Sequence, residues 1–432
     1  MLSVPDFVRF FFSAVLTIVL LAAASTQPGT PDPVFEKIPF DRWLGEPPNP
    51  NFHWKVRVPR AELSFHQRLV VPVEIELDGR DLETRRDHGS MVFLIQITDR
   101  VGTLFRHHTS IELSKFDANL KAAALQIAQP AFILPGDYQL AVALFDATTN
   151  EHSATQTQFH VAEQRDFLPE AWRDLPPVEF IERVQSPDSW YLPNIQGRLQ
   201  WAASAHSPPR LNVILNVDSS VSETASRPTP TSGLPALLPI LKVLAHTGSP
   251  ALSDNVSVLD IGRRRAVFSQ NDVKDLDWPG LKSSLGVANA ASIDVHSLSE
   301  RHRDAQFFVS EVRRVLRASE TPGVLVVLTT AVAFESGEDL TPISLEGLPP
   351  FRVFYIRYRT PVAPDRPFDP QMRGRGFGGR MGGRQARNEA ARRVVDQLEA
   401  TLRPLHPKVF DVETPEEMTK ALKEIRDTLL SR

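Results

Sequence analysis

The stretch LNVILNVDSSVS, residues 211–222, decides the fold of the C-terminal half of the chain. Its first seven residues are almost continuously apolar, which is typical of a parallel strand buried on both faces. The polar tip that follows places Asp218, Ser220 and Ser222 in D-x-S-x-S spacing. Because ligands of open α/β sheets bind outside the carboxyl ends of the strands, we expect a binding site at this tip.

Apolar strands and helices alternate from this stretch to the end of the chain. VSVLDI from Val256, VLVVLT from Val324, FRVFYIRY from Phe351 and PKVFDV before the last helix indicate further strands. Helices are predicted over residues 234–245, 300–318, 388–405 and 414–430. The alternation predicts a doubly wound α/β domain over residues 211–432.

The D-x-S-x-S tip has the chemistry of a cation site. A carboxylate and two hydroxyls are hard oxygen donors suited to Mg²⁺, or to Mn²⁺. Ser297 is a weaker candidate ligand, since it also fits an S-x-x-E capping box with Glu300. Alternatively, Asp218 and the two serines cap the first helix and satisfy its free N–H groups. The residues leave open whether metal is bound.

Both ends of the C-terminal half resemble one family. Residues 211–222 resemble the first strand and metal-ion-dependent adhesion site of von Willebrand factor A (vWA) domains, as in exported bacterial vWA-related proteins. KVFDVETPEEMTKALKEI from Lys408 is similar to the last strand and helix of that family. The resemblance implies a metal-dependent site for a protein ligand. The site is degenerate, because Thr330 replaces the family's Asp after VLVVLT, and Ser297 or Ser299 replaces its Thr.

The N-terminal half has a period of two instead. Val71, Val73 and Ile75 alternate with Pro72 and Glu74, which indicates antiparallel strands with one buried face. Such strands over residues 52–162 predict an all-β sandwich. ILPGDYQLAVALFD resembles the late hairpin of immunoglobulin-like and fibronectin type III-like modules. About seven strands are expected, starting near His53, Leu69, Met91, Thr103, Leu120, Asp137 and Ala154.

The first residues predict export. Arg9 precedes the apolar run FFFSAVLTIVLLAAA, which is as long as a secretory signal core and short for a membrane span. Ala22 and Ala24 suit cleavage before Ser25, so residues 1–24 are predicted to be a signal peptide; an uncleaved anchor is the alternative. The protein is expected in the periplasm, at the cell surface or secreted. The absence of Cys excludes disulfides and a lipoprotein anchor.

Three segments lie between or within these domains. Residues 25–51 are a Pro-rich linker with an aromatic patch that we expect to dock nearby, and residues 163–210 are a Pro- and Trp-rich connector. An Arg/Gly-rich stretch predicts a disordered loop over about residues 361–387, with weak contact to an anionic surface. The net charge of −4 and export argue against nucleic acid as a partner. The patch within residues 25–51 that is expected to dock consists of Phe40, Trp43 and Leu44.

No motif predicts catalysis. The sequence lacks G-x-S-x-G, H-E-x-x-H and P-loop patterns, and no His base lies beside Asp218. Asp294, His296 and His302 fit a polar strand face better than a zinc site. We therefore expect no enzyme, but an adhesion-type binding protein outside the cytoplasm that presents its degenerate adhesion site to a protein ligand. A metal-free structural or scaffolding protein of the cell envelope is the alternative, and the oligomeric state stays open.

Overall fold

The computed structural model divides into two compact units. The first comprises Met1–Phe167 and Asp174–Arg198, and the second comprises Leu168–Arg173 and Leu199–Arg432. The structure describes residues 32–86, 89–115, 124–164, 169–182, 195, 197, 199, 210–217, 233–245, 254–273, 275–289, 303–318, 322–332, 343, 347, 349–359 and 396–430. The predicted signal peptide, the Arg/Gly-rich stretch and most of the connector therefore lie outside the described residues.

The first unit contains two antiparallel sheets. One sheet has the order β1-β3-β6-β9, with β2 also paired to β3, and the other has the order β5-β4-β7-β8. Helix α3 follows β3 at Gly79–Thr84. The strands are β1 Trp54–Arg57, β2 Glu62–Leu63, β3 Leu69–Asp78, β4 Ser90–Thr98, β5 Leu104–Glu112, β6 Ala124–Ile133, β7 Gly136–Asp146, β8 His152–Val161 and β9 Val178–Phe180.

Alternating side chains form the core between these two sheets. On β3 every second residue from Leu69 to Leu77 is buried, as the period of two predicts. His107 of β5 is also buried and stacks on Phe180 of β9, with ring centroids 5.0 Å apart, so a side chain of one sheet contacts the other. The neighbouring His108 points the opposite way, as expected for consecutive residues of a strand.

Two short helices cover the outer face of the β5-β4-β7-β8 sheet. Helix α1 spans Pro33–Lys37 and α2 spans Phe40–Trp43, within the segment predicted as a linker. We call residues 32–46 the N-terminal strap. Its predicted aromatic patch does dock, because Phe40, Trp43 and Leu44 pack with Leu94 and Ala143 of the sheet.

Histidines of the same sheet contact both ends of the strap. The Nδ1 atom of His108 lies 2.7 Å from Oδ2 of Asp32, the N-cap residue of α1. The Nε2 atom of His152 lies 2.8 Å from Oε2 of Glu46, and its ring stacks on Trp43 at 4.3 Å. Polar contacts thus add to the apolar packing that holds the strap in place.

The second unit contains a six-stranded sheet with the order β12-β11-β10-β13-β14-β15. All neighbouring pairs are parallel except β11–β12, which is antiparallel. The apolar stretch quoted first forms β10, and its prediction as a strand inside the sheet is confirmed, because β10 lies between β11 and β13. The strands are β10 Arg210–Asn216, β11 Asp254–Asp260, β12 Arg265–Val273, β13 Gly323–Thr330, β14 Phe351–Tyr358 and β15 Lys408–Val412.

Five helices accompany this sheet in the described part of the unit. They are α4 Leu234–Ala245, α5 Trp278–Asn289, α6 Asp304–Arg317, α7 Gln397–Leu402 and α8 Pro415–Leu430. Phe308 of α6 and Leu398 of α7 share one core with Ile214, Leu325 and Tyr355 of the sheet. Helix α4 packs against β10 and β13, and α8 packs against β15. Within the described part of the chain, no helix combines the length and apolarity needed to cross a bilayer.

Candidate functional site

The candidate site is the edge of the six-stranded sheet where the parallel strands end, which we call the carboxyl rim. It is formed by Asn216 at the end of β10, Val217 directly after it, Asp260 at the end of β11, and Thr329 and Thr330 at the end of β13. The N–H of Val217 donates to the carbonyl of Leu259 at 2.9 Å, so the chain stays aligned with β11 one residue beyond β10. The residue that comes next in the sequence is Asp218.

Asn216 ties three strands together at the rim. Its Nδ2 donates to Oγ1 of Thr329 at 3.0 Å, and its Oδ1 accepts from the backbone N–H of Ile261 at 3.3 Å. Both Asn216 and Thr329 are fully buried. A buried amide whose donor and acceptor are both used fixes the groups that it joins, so the rim around β10 has a defined geometry.

Thr330 occupies the position where the vWA resemblance places a second carboxylate. It is partly exposed at the end of β13. Gly233, directly before α4, lies so close that a Cβ atom there would be 2.7 Å from Cγ2 of Thr330. The described chain therefore leaves the rim at Val217 and returns to it at Gly233.

The predicted metal ligands Asp218, Ser220, Ser222 and Ser297 lie outside the described residues. So do Asp294, His296 and His302. The capping alternative therefore stays untested as well; the described helix that follows in the chain, α4, begins at Leu234. Among the described residues no group of three or more acidic or histidine side chains could hold a metal ion.

A basic turn at the rim was not predicted from the sequence. Three consecutive arginines follow β11: Arg263 and Arg264 lie in the turn, and Arg265 is the first residue of β12. Arg263 and Arg265 lie 3.8 Å and 3.7 Å from Oδ2 of Asp260, and Nη1 of Arg264 lies 3.0 Å from Oδ1 of Asp304. Burial raises the pKa of Asp260, and the two arginines oppose that shift. The signal was the run GRRR directly after VLDI, at the end of a predicted strand.

A second ionic group, the Arg357 knot, lies at the next strand. Arg357 donates from Nη1 to Asp396 at 2.7 Å and from Nε to Asp411 at 2.5 Å. Burial alone would lower the pKa of Arg357, but hydrogen bonds to Asp411 and Asp396 raise it above its ordinary value. The hydroxyl of Tyr355 also donates to Asp396, at 2.7 Å, and Arg359 donates to Asp411.

The Arg357 knot joins two places that are far apart in sequence. Asp411 lies directly opposite Arg357 on β15, and Asp396 is the N-cap residue of α7. The described chain ends at Arg359 and resumes at Asp396, so both ends of the intervening Arg-rich stretch are fastened to the same guanidinium cluster. With both carboxylates engaged, the knot fits a structural role better than a catalytic one.

Comparison with known proteins gives little guidance. No family model and no curated protein matches the chain. Among solved structures, the chain is similar to the pilus adhesin RrgA from Streptococcus pneumoniae, with 11% identity and a TM-score of 0.19. That similarity covers 56% of this chain and 40% of the adhesin chain, so this chain spans well under half of the adhesin's length. A TM-score of 0.19 does not indicate a shared fold.

Proposed function

We propose that the protein is a non-enzymatic binding protein outside the cytoplasm, whose second unit is a vWA-like, doubly wound domain that presents its carboxyl rim to a protein ligand. One observation carries the proposal. In the order β12-β11-β10-β13-β14-β15, the chain runs outward in opposite directions from β10 and β13. Open α/β sheets bind their ligands at this switch point, outside the carboxyl ends of the strands.

The polar groups at the switch point support this proposal. The side chains of Asn216 and Thr329 hydrogen-bond between β10 and β13, the two strands that form the switch point. Asp218 is the next residue after Val217 in the sequence, and its carboxylate is the group that we propose to act at this switch point. Helix packing also supports a doubly wound domain, because α6 and α7 share one core with the sheet and α4 packs on β10 and β13.

The first unit is proposed to be an immunoglobulin- or fibronectin type III-like sandwich that acts as a spacer or a second binding module. Tyr138 supports this assignment. It lies near the start of β7, and its hydroxyl donates to the carbonyl of Leu134 at 2.9 Å. A tyrosine that bonds back to the preceding corner is a hallmark of such sandwiches. Export rests on the sequence of residues 1–24 alone.

Asp218, Ser220 and Ser222, with Ser297 as a weaker fourth ligand, would hold Mg²⁺ or Mn²⁺. The donor set suits a hard cation that retains several waters. Bound metal would supply an open coordination position for a carboxylate of the ligand. Because Thr330 provides a hydroxyl where a second carboxylate would strengthen binding, we expect weak affinity.

The metal-free scaffolding alternative is favoured by one specific observation. The arginine-rich turn at Arg263–Arg265 adds positive charge beside the end of β10, which opposes the binding of a cation. In that case the rim would serve as a docking surface without an ion.

Thermal unfolding with Mg²⁺ or Mn²⁺ against EDTA separates the two. A ligand that binds only the folded state stabilises it by RT ln(1 + [L]/Kd), which is about 1.4 kcal/mol at a roughly tenfold excess over Kd. We expect a metal-dependent rise in melting temperature in the wild type, its loss in Asp218→Ala, and a larger rise in Thr330→Asp.

Asp427→Ala is the matched control, because Asp427 is an exposed carboxylate on α8, outside the carboxyl rim. It should respond to metal like the wild type. If the wild type shows no shift, or Asp218→Ala shows the same shift as the wild type, the metal site is rejected and the scaffolding alternative stands.

A further inference from the structure

Strands at the border of a sheet expose unpaired backbone groups, and proteins usually protect them by short length, charge or coverage. Most border strands here carry such protection. β1 has four residues, including Lys55 and Arg57, and β9 has three residues. β5 carries Arg106, and the strap reaches this strand through the contact of Asp32 with His108.

The border strands of the six-stranded sheet are protected in the same way. β12 carries Arg265 and Asp272 and has two register irregularities against β11. β15 is short, with Lys408 and Asp411. β6 extends beyond its pairing with β9. In that part Pro130 has no backbone N–H to donate to another strand.

β8 is less protected than these strands. Among the described residues, the strap contacts it at its start, where Glu46 lies beside His152 and Trp43 stacks on the same ring. β8 is ten residues long, and β7 is its only strand partner among the described residues. Residues 155–158, Thr-Gln-Thr-Gln, are exposed on both faces, and none of them is charged or Pro. Within the described structure, residues 155–158 therefore form an edge without charge or a second strand partner, which is a template for another strand.

We propose that two copies of this protein pair through β8, antiparallel and centred on Thr157, as an isologous dimer. This surface is separate from the carboxyl rim, and the proposal does not depend on the function proposed for that rim. Pairing would join two four-stranded sheets into one continuous sheet across a two-fold axis.

The sequence of β8 is self-complementary in this register. Thr157 lies opposite its own copy, and Gln156 lies opposite Gln158 of the second copy on both sides of the axis. Thr–Thr pairs and amide pairs are favourable between neighbouring strands, whereas like charges directly opposite are unfavourable. His160, which bonds Asp137 at 2.7 Å, falls opposite Ala154, so no like charges meet.

The absence of Cys from the chain allows a direct test. Directly opposed residues of antiparallel strands have Cα atoms about 4.5–5.5 Å apart, which is within the range that a disulfide bridges. Under mild oxidation the full chain carrying Thr157→Cys should form a covalent dimer. Val101→Cys is the control, because Val101 is 86% exposed at the tip of the β4–β5 hairpin and would cross-link more readily by random collision.

Sedimentation analysis of the full chain gives an independent measurement. The wild type should dimerise with rising concentration, and Thr157→Lys should raise the dimer Kd by about tenfold or more, because two ammonium groups meet on the axis. Gln126→Lys, at an exposed position of β6, should leave the Kd unchanged.

A wild type that stays monomeric at all concentrations overturns the proposal. So does a dimer that Thr157→Lys leaves intact, or a Thr157→Cys variant that cross-links no faster than Val101→Cys. Circular dichroism confirms that each variant is folded, which is expected because all the substituted positions are exposed.

Discussion

The two units each bury an ionisable side chain, and the same physical cause gives them opposite responses to pH. In the sandwich, burial lowers the pKa of His107 from 6.5 to about 4. In the six-stranded sheet, burial raises the pKa of Asp254 from 3.8 to about 7. Both shifts favour the neutral form, but one group is cationic when charged and the other anionic.

The signs follow from proton binding. Between about pH 4 and pH 6.5 unfolded His107 binds a proton that folded His107 does not, so the sandwich loses stability as the pH falls. Between about pH 4 and pH 7 folded Asp254 keeps a proton that the unfolded chain releases, so the sheet unit loses stability as the pH rises. One chain can therefore contain two units whose stabilities change in opposite directions with pH.

Asp254→Asn should have the greatest effect of these substitutions, because it removes the buried carboxyl group of the sheet unit. Asp254 is 1% exposed, and its Oδ1 has no hydrogen-bond partner within the described structure. We expect the sheet unit of the wild type to lose on the order of 4 kcal/mol between pH 4 and pH 7 from this group. The variant should lack that loss, as measured by denaturant unfolding across the pH range.

Asp272→Asn serves as the control for this measurement, since Asp272 is an exposed carboxylate on the neighbouring β12. It should keep the pH dependence of the wild type. Parallel pH profiles for the wild type and Asp254→Asn would contradict the assignment.

His107→Gln tests the pH dependence of the sandwich. The wild-type sandwich is expected to lose roughly 3 kcal/mol as the pH falls from 6.5 to 4, because burial resists protonation of this ring. In calorimetric unfolding, the variant should lose less stability than the wild type as the pH falls from 6.5 to 4. It should also be less stable at every pH, because the stack on Phe180 is missing. His160→Gln, at an exposed histidine, should leave the acid limb unchanged; an equal change in both variants would count against His107.

Asn216→Ala should give a smaller loss of stability in the sheet unit, and this loss should be independent of pH. It leaves the N–H of Ile261 and the hydroxyl of Thr329 without their partner, at a cost of about 2 kcal/mol. The unfolding transition whose midpoint falls equally at every pH is then the transition of the sheet unit. Asn212→Ala is the matched control on the same strand and should cost less, because Nδ2 of Asn212 already lacks a partner among the described residues. A larger loss for Asn212→Ala would contradict this ranking.

The sequence predicted strands well where burial is continuous or strictly alternating. FRVFYIRY forms β14 with the predicted bounds, and LNVILNV forms β10 up to Asn216. Helices α1 and α5 were missed because they lack a long apolar face. Each nevertheless carries a local signal, since Asp32 and Asp277 accept backbone N–H groups of the first turn and Pro33 and Pro279 follow them.

The candidate site was harder to predict from the sequence than the strands were. The position of the carboxyl rim follows from the order of buried strands, but the partners of Asn216 depend on which strands become neighbours. Thr329 is more than a hundred residues away from Asn216 in sequence, and no local pattern links the two. Arg357 and Asp396 show the same limitation. The assignment of Asp218, Ser220, Ser222 and Ser297 to a metal stays a prediction.

The Arg357 knot has a consequence for how the chain can vary. Because Arg359 and Asp396 are both fastened at one place, the segment between them starts and finishes on the same spot of the surface. We therefore expect insertions and deletions there to leave the pairing of β14 with β15 unchanged. The segment between Arg359 and Asp396 is therefore a suitable site for inserting foreign sequence, such as an epitope or a reporter, without redesign of the sheet.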